Sequence, residues 1–299
     1  MKRVQLTEQL SFSQFIQGYW RLDEWDMRKQ DLLTFIMQHL DLGITTVDHA
    51  DIYGLYQCEA IFGQALALQP ELRQQLEIVS KCGIKLPSEK FLTQSIPLYD
   101  NSAEHIRASV EQSLKNLHTD YLDTLLLHRP DVLMHADQVA ETFSALKQEG
   151  KVRHFGVSNY SPQQFDLLQS RLDFKLVTNQ VEFNPMNMQT SADGTFEHLQ
   201  MHRIAPMIWS CLAGGRIFNE DSAKAKRVRA VLTEISKETH AAIDQLIYAF
   251  VLKLPCNPMP IIGSGNIERV KSAVAAANIN LSNEQWYRIW VASNGHNVP

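Results

Sequence analysis

Short apolar, strand-like runs alternate with amphipathic, helix-like segments from one end of this chain to the other, and this pattern constrains the fold most. Residues 27–42 place Leu33, Ile36, Met37 and Leu40 on one helical face, and Gly43 can end that helix. Thr45–Val47 reads as a short buried strand. Cys58–Leu68 reads as a helix with Ile61, Phe62, Ala65 and Leu66 inward, and Leu76–Lys81 as the next strand. An irregular stretch, Gly83–Asp100, precedes a helix over Ser102–Leu117, for which Asn101 is the expected cap with Glu104 three residues on. "LDTLLL", Leu122–Leu127, suits a parallel strand covered on both faces. A helix over Ala136–Glu149 stops at Gly150, and "HFGVSN" supplies another strand. Ser161 then stands as an N-cap with Pro162 at the first helical position. Val177–Phe183, Ala205–Leu212 and Met259–Gly263 are further strands, with helices at Ala223–Glu238, Ile243–Leu252 and Ile267–Ala276. Counting a first strand near Gly18–Arg21, the pattern holds eight strands, nearly all followed by a helix. No Pro/Gly-rich linker interrupts it. The expectation is a (β/α)8 TIM barrel, a single domain over residues 1–299, rather than an open doubly wound sheet.

Composition narrows the partners. Hydrophobic residues at 44% and charged residues at 20% suit a soluble globular protein with a large core. A net charge of -5 gives no electrostatic reason to expect nucleic acid or an anionic membrane. No stretch approaches the roughly 18 unbroken apolar residues of a membrane helix, and "MKRVQLTEQL" lacks the apolar core of a signal peptide. Cys58, Cys82, Cys211 and Cys256 form no CxxC pair, so reduced, mostly buried thiols in a cytoplasmic protein are expected.

If the chain is a barrel, its chemistry belongs at the C-terminal ends of the strands. Asp48 follows "TTV", Lys81 follows "EIVS", and His128 follows "LLL". Ser158 and Asn159 follow "FGV", while Asn179, Gln180 and Glu182 alternate with apolar neighbours. One polar strand end is ordinary, but five in register argue for a shared polar pocket. A lysine at the end of an apolar strand is seldom buried unless paired, and Asp48 offers a counter-charge. Such a pair is either a strand-end salt bridge or a device for a neighbouring acid. A tyrosine, with a pKa of about 10, needs a nearby ammonium to act near neutrality, and Tyr53 lies on the loop after Asp48.

These residues resemble the aldo-keto reductases. "VDHADIYG" carries Asp48 and Tyr53 at the D-x-A-x-x-Y spacing, "VSKCG" carries Lys81, and "YLDTLLLHRPD" carries His128. "GKVRHFGVSN", "NQVEFNP" and "PIIGSG…ERV" also match, in the family's order and over nearly the whole chain. The resemblance is to bacterial NADPH-dependent members. It implies that a small-molecule aldehyde or ketone is reduced by hydride from a nicotinamide, with Asp48, Tyr53, Lys81 and His128 as the catalytic set. Tyr53 would donate its proton to the carbonyl oxygen, Lys81 held by Asp48 would lower the tyrosine pKa, and His128 would orient the carbonyl.

No GxGxxG follows any strand, which speaks against an open-sheet dinucleotide enzyme but not against this family. The resemblance implies that Ser158, Asn159 and Gln180 hold the carboxamide and that Trp209 stacks on the nicotinamide; alone, such a tryptophan is more often core than cofactor platform. Tyr19, Trp20, Arg21 and Asp48 are further implied cofactor contacts. So are Ser210, Cys211, Leu212, Gly214 and Arg216 of the "SCLAGGR" turn. Gly263, Ser264 and Gly265 would face the adenosine-end phosphate, with Arg269 on the ribose 2′-phosphate. Many members carry a lysine two positions after the proline of the last strand, where this chain has Ile262 and then Gly263. NADP(H) is expected over NAD(H), resting on Arg269. Trp20, Trp25, Tyr56 and the Gly83–Asp100 segment are the candidate substrate-pocket wall.

Two other readings compete. A metal-dependent hydrolase would need three or more ligands from several strands, and His128 is the sole histidine at another strand end. No metal site is therefore expected, and His49 and Asp51 become supporting or loop residues. A nucleotide-binding regulatory subunit with little turnover is the second alternative, because fold does not establish function. A monomer or weak oligomer is expected.

Overall fold

The structure is a computed structural model and describes residues 1–92 and 94–299. Ile16–Gly18, Thr46–Asp48, Glu77–Cys82, Leu122–Leu127, Val152–Ser158, Asn179–Glu182, Met207–Trp209 and Met259–Ile262 lie side by side in chain order. All are parallel, and the last pairs back onto the first to close a barrel. Each strand leads into a helix on the outer face, and helix Ala223–Thr239 is inserted after the seventh. This is the expected (β/α)8 architecture. Among the described residues no helix is long and apolar enough to cross a membrane.

Strand periodicity sorts the side chains. In the third barrel strand Ile78 and Cys82 join the shell under the helices, while Val79 faces the barrel interior. Lys81, two residues beyond Val79, therefore also points inward, at the upper end. The same count carries Leu126 to His128, Met207 to Trp209 and Ile16 to Gly18. A hairpin of Arg3–Gln5 and Ser11–Ser13 precedes the barrel and packs Val4, Leu10 and Phe12 against the inward Ile16, Val79, Leu126, Met207 and Met259. Phe12 has no exposed surface, and truncating such a residue costs about 3–5 kcal/mol. The opposite end is left open for polar groups.

Several local expectations need correction. The first strand is Ile16–Gly18, not Gly18–Arg21, because Trp20 and Arg21 already belong to the loop and Leu22–Glu24 forms a short 3-10 turn. Met37 is 43% exposed, off the face that buries Leu33 and Ile36. Ser102, not Asn101, caps helix Ala103–Leu117 by accepting from the His105 amide. Asn101 is instead buried, its amide oxygen pressed toward Gly83. The Gly83–Asp100 stretch is not irregular throughout: Ile84–Lys85 pairs antiparallel with Leu98–Tyr99, and Thr93 lies outside the described residues. The seventh strand stops at Trp209, since Ser210 and Ala213 take positive φ of 57° and 53°, which no strand continues. Ser161 with Pro162 forms a full capping box with Gln164, as the pattern predicts. All four cysteines are free and buried.

Candidate active site

Lys81 has no exposed surface, and its ammonium uses every donor it has. Nζ donates to Asp48 Oδ2 at 2.8 Å, to the His49 carbonyl at 2.7 Å and to the Tyr53 phenol oxygen at 2.8 Å. Asp48 Oδ1 also accepts from Gln180 Nε2 at 2.7 Å, so four barrel-end residues share one network. Register explains the meeting. Gly18 lies beside Asp48, Asp48 beside Val79, and Gln180 beside Ser158, so Lys81, one inward position beyond Val79, reaches Asp48 from the upper end. A buried ion pair is poor evidence of stability, because desolvation offsets most of the attraction. Its retention at this end fits a polar function.

His128 completes the cluster from the fourth strand. Its ring meets Tyr53 edge-on, with centroids 5.8 Å apart. Burial, reinforced by the charges of Lys81 and Arg129, holds its pKa well below 6.5, so the imidazole is neutral at physiological pH. Burial, followed by the Asp48 charge, raises the Tyr53 phenol well above 10. Desolvation and the carboxylate set this net direction, while the Lys81 ammonium faces the phenol oxygen, where it favours the phenolate. A phenol protonated at neutral pH has a proton to give. Burial also lowers the Lys81 ammonium from 10.5, against the opposing pull of Asp48.

The cluster opens into a cleft of about 1310 Å³ across the strand ends. Tyr53, His128, Ser158, Asn159, Gln180 and Trp209 line it on the strand side. Ser158 Oγ donates to the Gln180 carbonyl at 2.9 Å and accepts from Asn159 Nδ2 at 2.8 Å, while Trp209 Nε1 donates to Asn159 Oδ1 at 3.1 Å. Farther along, the wall includes Trp20, Arg21, Ser210, Cys211, Leu212, Gly214, Gly263, Ser264, Gly265 and Arg269. Gly214 takes φ of +64°, and a Cβ at Gly265 would come within 2.5 Å of Trp25, so both turns depend on glycine.

Some expected residues stand elsewhere. Tyr19 is buried behind the wall, hydrogen-bonded to His39 and stacked on His49 at 4.9 Å. Arg216 turns to Glu220 at 3.5 Å, leaving Gly214 and Gly215 at the cleft. Trp20 and Trp25 line the cleft, whereas the Tyr56 hydroxyl accepts from the Leu86 amide and its ring meets Phe91. Among the described residues of the long loop, Ile84 reaches the cleft.

The comparisons with known proteins agree with this architecture. The family model for the "Aldo/keto reductase family" matches residues 14–293. The chain belongs to the aldo/keto reductase family. The oxidoreductase YdhF of Escherichia coli is 55% identical over 289 residues, covering 96% of each chain. A 6-dehydroglucose reductase of Agrobacterium fabrum is 38% identical and covers 100% of both chains. In fold, the chain is similar to the glycerol dehydrogenase AKR11B4 of Gluconobacter oxydans, at a TM-score of 0.85 and 22% identity over 98% of this chain and 95% of that one. This aldo/keto reductase is thus an enzyme of the oxidoreductase class.

Arg129 and Asn266 were not anticipated. Arg129 follows His128 directly and stands in the cleft with its guanidinium carbon 5.6 Å from the Trp209 ring. The sequence signal was present, a charge immediately after a polar strand end. Asn266 lines the far end and caps helix Ile267–Ala275 by accepting from the Glu268 and Arg269 amides.

Proposed function

We propose that this aldo/keto reductase reduces a small aldehyde or ketone to an alcohol with NADPH, using Tyr53 as the general acid. The observation that carries the reading is the Lys81 ammonium donating at once to Asp48 and to the Tyr53 oxygen, at the floor of a cleft that also exposes His128. When bound, the reduced nicotinamide supplies hydride to the carbonyl carbon. Tyr53 gives its phenolic proton to the carbonyl oxygen as negative charge develops there. The Lys81 ammonium, 2.8 Å from the phenol oxygen, then stabilises the phenolate until it regains a proton from water. Neutral His128 hydrogen-bonds the carbonyl and fixes its direction. Proton donation of this kind contributes about 10²–10⁴-fold, and positioning adds more.

The cleft also suits the dinucleotide. Ser158, Asn159 and Gln180 present hydroxyl and amide groups to a carboxamide, and the Trp209 face lies beside them. Nothing would lie within 4 Å of a Cβ at Gly263, so a phosphate can approach the backbone there. Arg269, on the first turn of the adjoining helix, can pair with a 2′-phosphate, which favours NADPH over NADH.

Purified protein should oxidise NADPH when given 4-nitrobenzaldehyde, with slower oxidation of NADH. The relative named a 6-dehydroglucose reductase makes sugars bearing an aldehyde a second class for the panel. Tight NADPH binding without turnover on any aldehyde, ketone or sugar aldehyde would refute the reading.

A further inference from the structure

On the outside of the barrel, away from the cleft, three side chains converge from two helices. Asp166 lies on Pro162–Gln169, His198 lies on Thr195–Met201, and His202 is the C-cap of the latter helix. His198 and His202 are four residues apart, which sets their rings on one face, with centroids 4.6 Å apart. His198 Nε2 is 2.7 Å from Asp166 Oδ1, and His202 Nε2 is 3.8 Å from the same oxygen. The nearest donor atoms of the three residues all lie within 4.8 Å of one another. His198 is 8% exposed, and its ring stands edge-on to Phe165 at 5.3 Å, so packing fixes its direction. Asp166 and His202 face solvent.

We propose that Asp166, His198 and His202 form a binding site for a transition-metal dication of the Zn²⁺, Ni²⁺ or Cu²⁺ class. Two imidazole nitrogens and one carboxylate oxygen suit these borderline ions; Mg²⁺ and Ca²⁺ prefer oxygen alone. In a tetrahedral zinc site with bonds of about 2.0–2.1 Å, neighbouring ligand atoms stand about 3.3 Å apart. The 2.7 Å separation must open slightly and the 3.8 Å one must close by a similar amount. The exposed Asp166 and His202 side chains can make that adjustment around the fixed His198 ring. The open side leaves room for water as a further ligand. Without a metal, Asp166 is an ion-pair partner of both histidines, at 2.7 Å to His198 and 3.8 Å to His202; metal titration separates the two readings.

A bound ion would tie the helix of the fifth βα unit to that of the sixth, stabilising the fold according to its concentration relative to Kd. The site is independent of the proposed reduction. It departs from the expectation of no metal, which considered strand ends alone. The H-x-x-x-H spacing at 198–202 is visible in the sequence; that Asp166 meets it is visible in the fold.

The test is calorimetric titration of chelator-treated full-length protein with Zn²⁺, Ni²⁺ and Mg²⁺, with thermal unfolding alongside. One saturable site for Zn²⁺ and Ni²⁺, none for Mg²⁺, and a Tm that rises with Zn²⁺ are expected. Losing even an outer partner costs a metal site about 10–100-fold, so His202→Ala and Asp166→Asn should each weaken Zn²⁺ by at least tenfold. Both residues are exposed, and neither variant should change the metal-free Tm or the NADPH oxidation rate. With Cu²⁺, electron paramagnetic resonance should show two coordinating nitrogens in the wild type and one in His202→Ala. Absence of saturable binding at millimolar Zn²⁺, or undiminished binding in both variants, would overturn the proposal.

Discussion

At one end of the cleft Lys81 is wholly buried and bonded to Asp48, His49 and Tyr53; at the other, Arg269 stands exposed on the first helical turn after the glycine-containing loop. The first end is anchored by the Asp48 and Lys81 side chains on neighbouring barrel strands, with Tyr53 brought to them from the turn after Asp48. The second is made of loop backbone and one flexible cation. A change at the buried end therefore breaks several linked contacts, while a change at the exposed end removes one. The proposed chemistry sits where the scaffold is rigid, and the proposed choice of cofactor sits where it is not.

Lys81→Met tests that contrast most severely. It leaves the Asp48 carboxylate buried without its counter-charge, so stability should fall by about 3–5 kcal/mol in denaturant unfolding and NADPH oxidation should vanish. A variant as stable as the wild type would contradict the rigid end. Arg269→Ala should act on one property alone. The KM for NADPH should rise about tenfold, the value of a lost charge-assisted hydrogen bond, with kcat and the KM for NADH unchanged. Equal losses with both cofactors would remove Arg269 from the 2′-phosphate.

Asp51 sharpens the picture from behind Lys81, where its amide donates to the Lys81 carbonyl. Burial, reinforced by the Glu59 charge, raises its carboxyl from 3.8 to about 7. The folded protein thus holds this proton more tightly than the unfolded chain does. Its contribution to stability is full below pH 3.8 and is lost as pH rises through about 7. Asp51→Asn has no such loss, so its Tm relative to the wild type should climb between pH 5 and pH 8. A constant difference would show that Asp51 does not titrate there. The smallest expected effect is on turnover. With the Tyr53 phenol held well above 10 and the His128 imidazole well below 6.5, kcat should vary less than about threefold from pH 7 to pH 9. A steep decline across that range would mean that Tyr53 loses its proton much earlier.

The two ends were also unequally legible in the sequence. Asp48, Lys81 and His128 are legible because each ends an apolar run, and strand periodicity turns such residues inward at the upper end of the barrel. Loops carry no comparable ruler. Tyr19 and Trp20 are adjacent, yet one is buried against His39 and the other lines the cleft; Arg216 turns away while Gly214 and Gly215 remain. The capping residue moved by one position, from Asn101 to Ser102, since either side chain can serve and tertiary packing chose. The net rise of the Tyr53 pKa is not legible in the sequence, because burial depth and the nearness of Asp48 are tertiary facts. The meeting of Asp166 with His198 and His202 depends on how two helices pack, which no local pattern encodes.

In the proposed reaction Tyr53, supported by the buried Lys81–Asp48 pair, delivers the proton. Single-turnover oxidation of bound NADPH by 4-nitrobenzaldehyde, in wild type and Tyr53→Phe, with NADPH affinity measured by fluorescence on the same samples, tests it most directly. A rate loss of about 10²–10⁴-fold in Tyr53→Phe with cofactor affinity unchanged is expected. Single-turnover rates equal in the two proteins would contradict it.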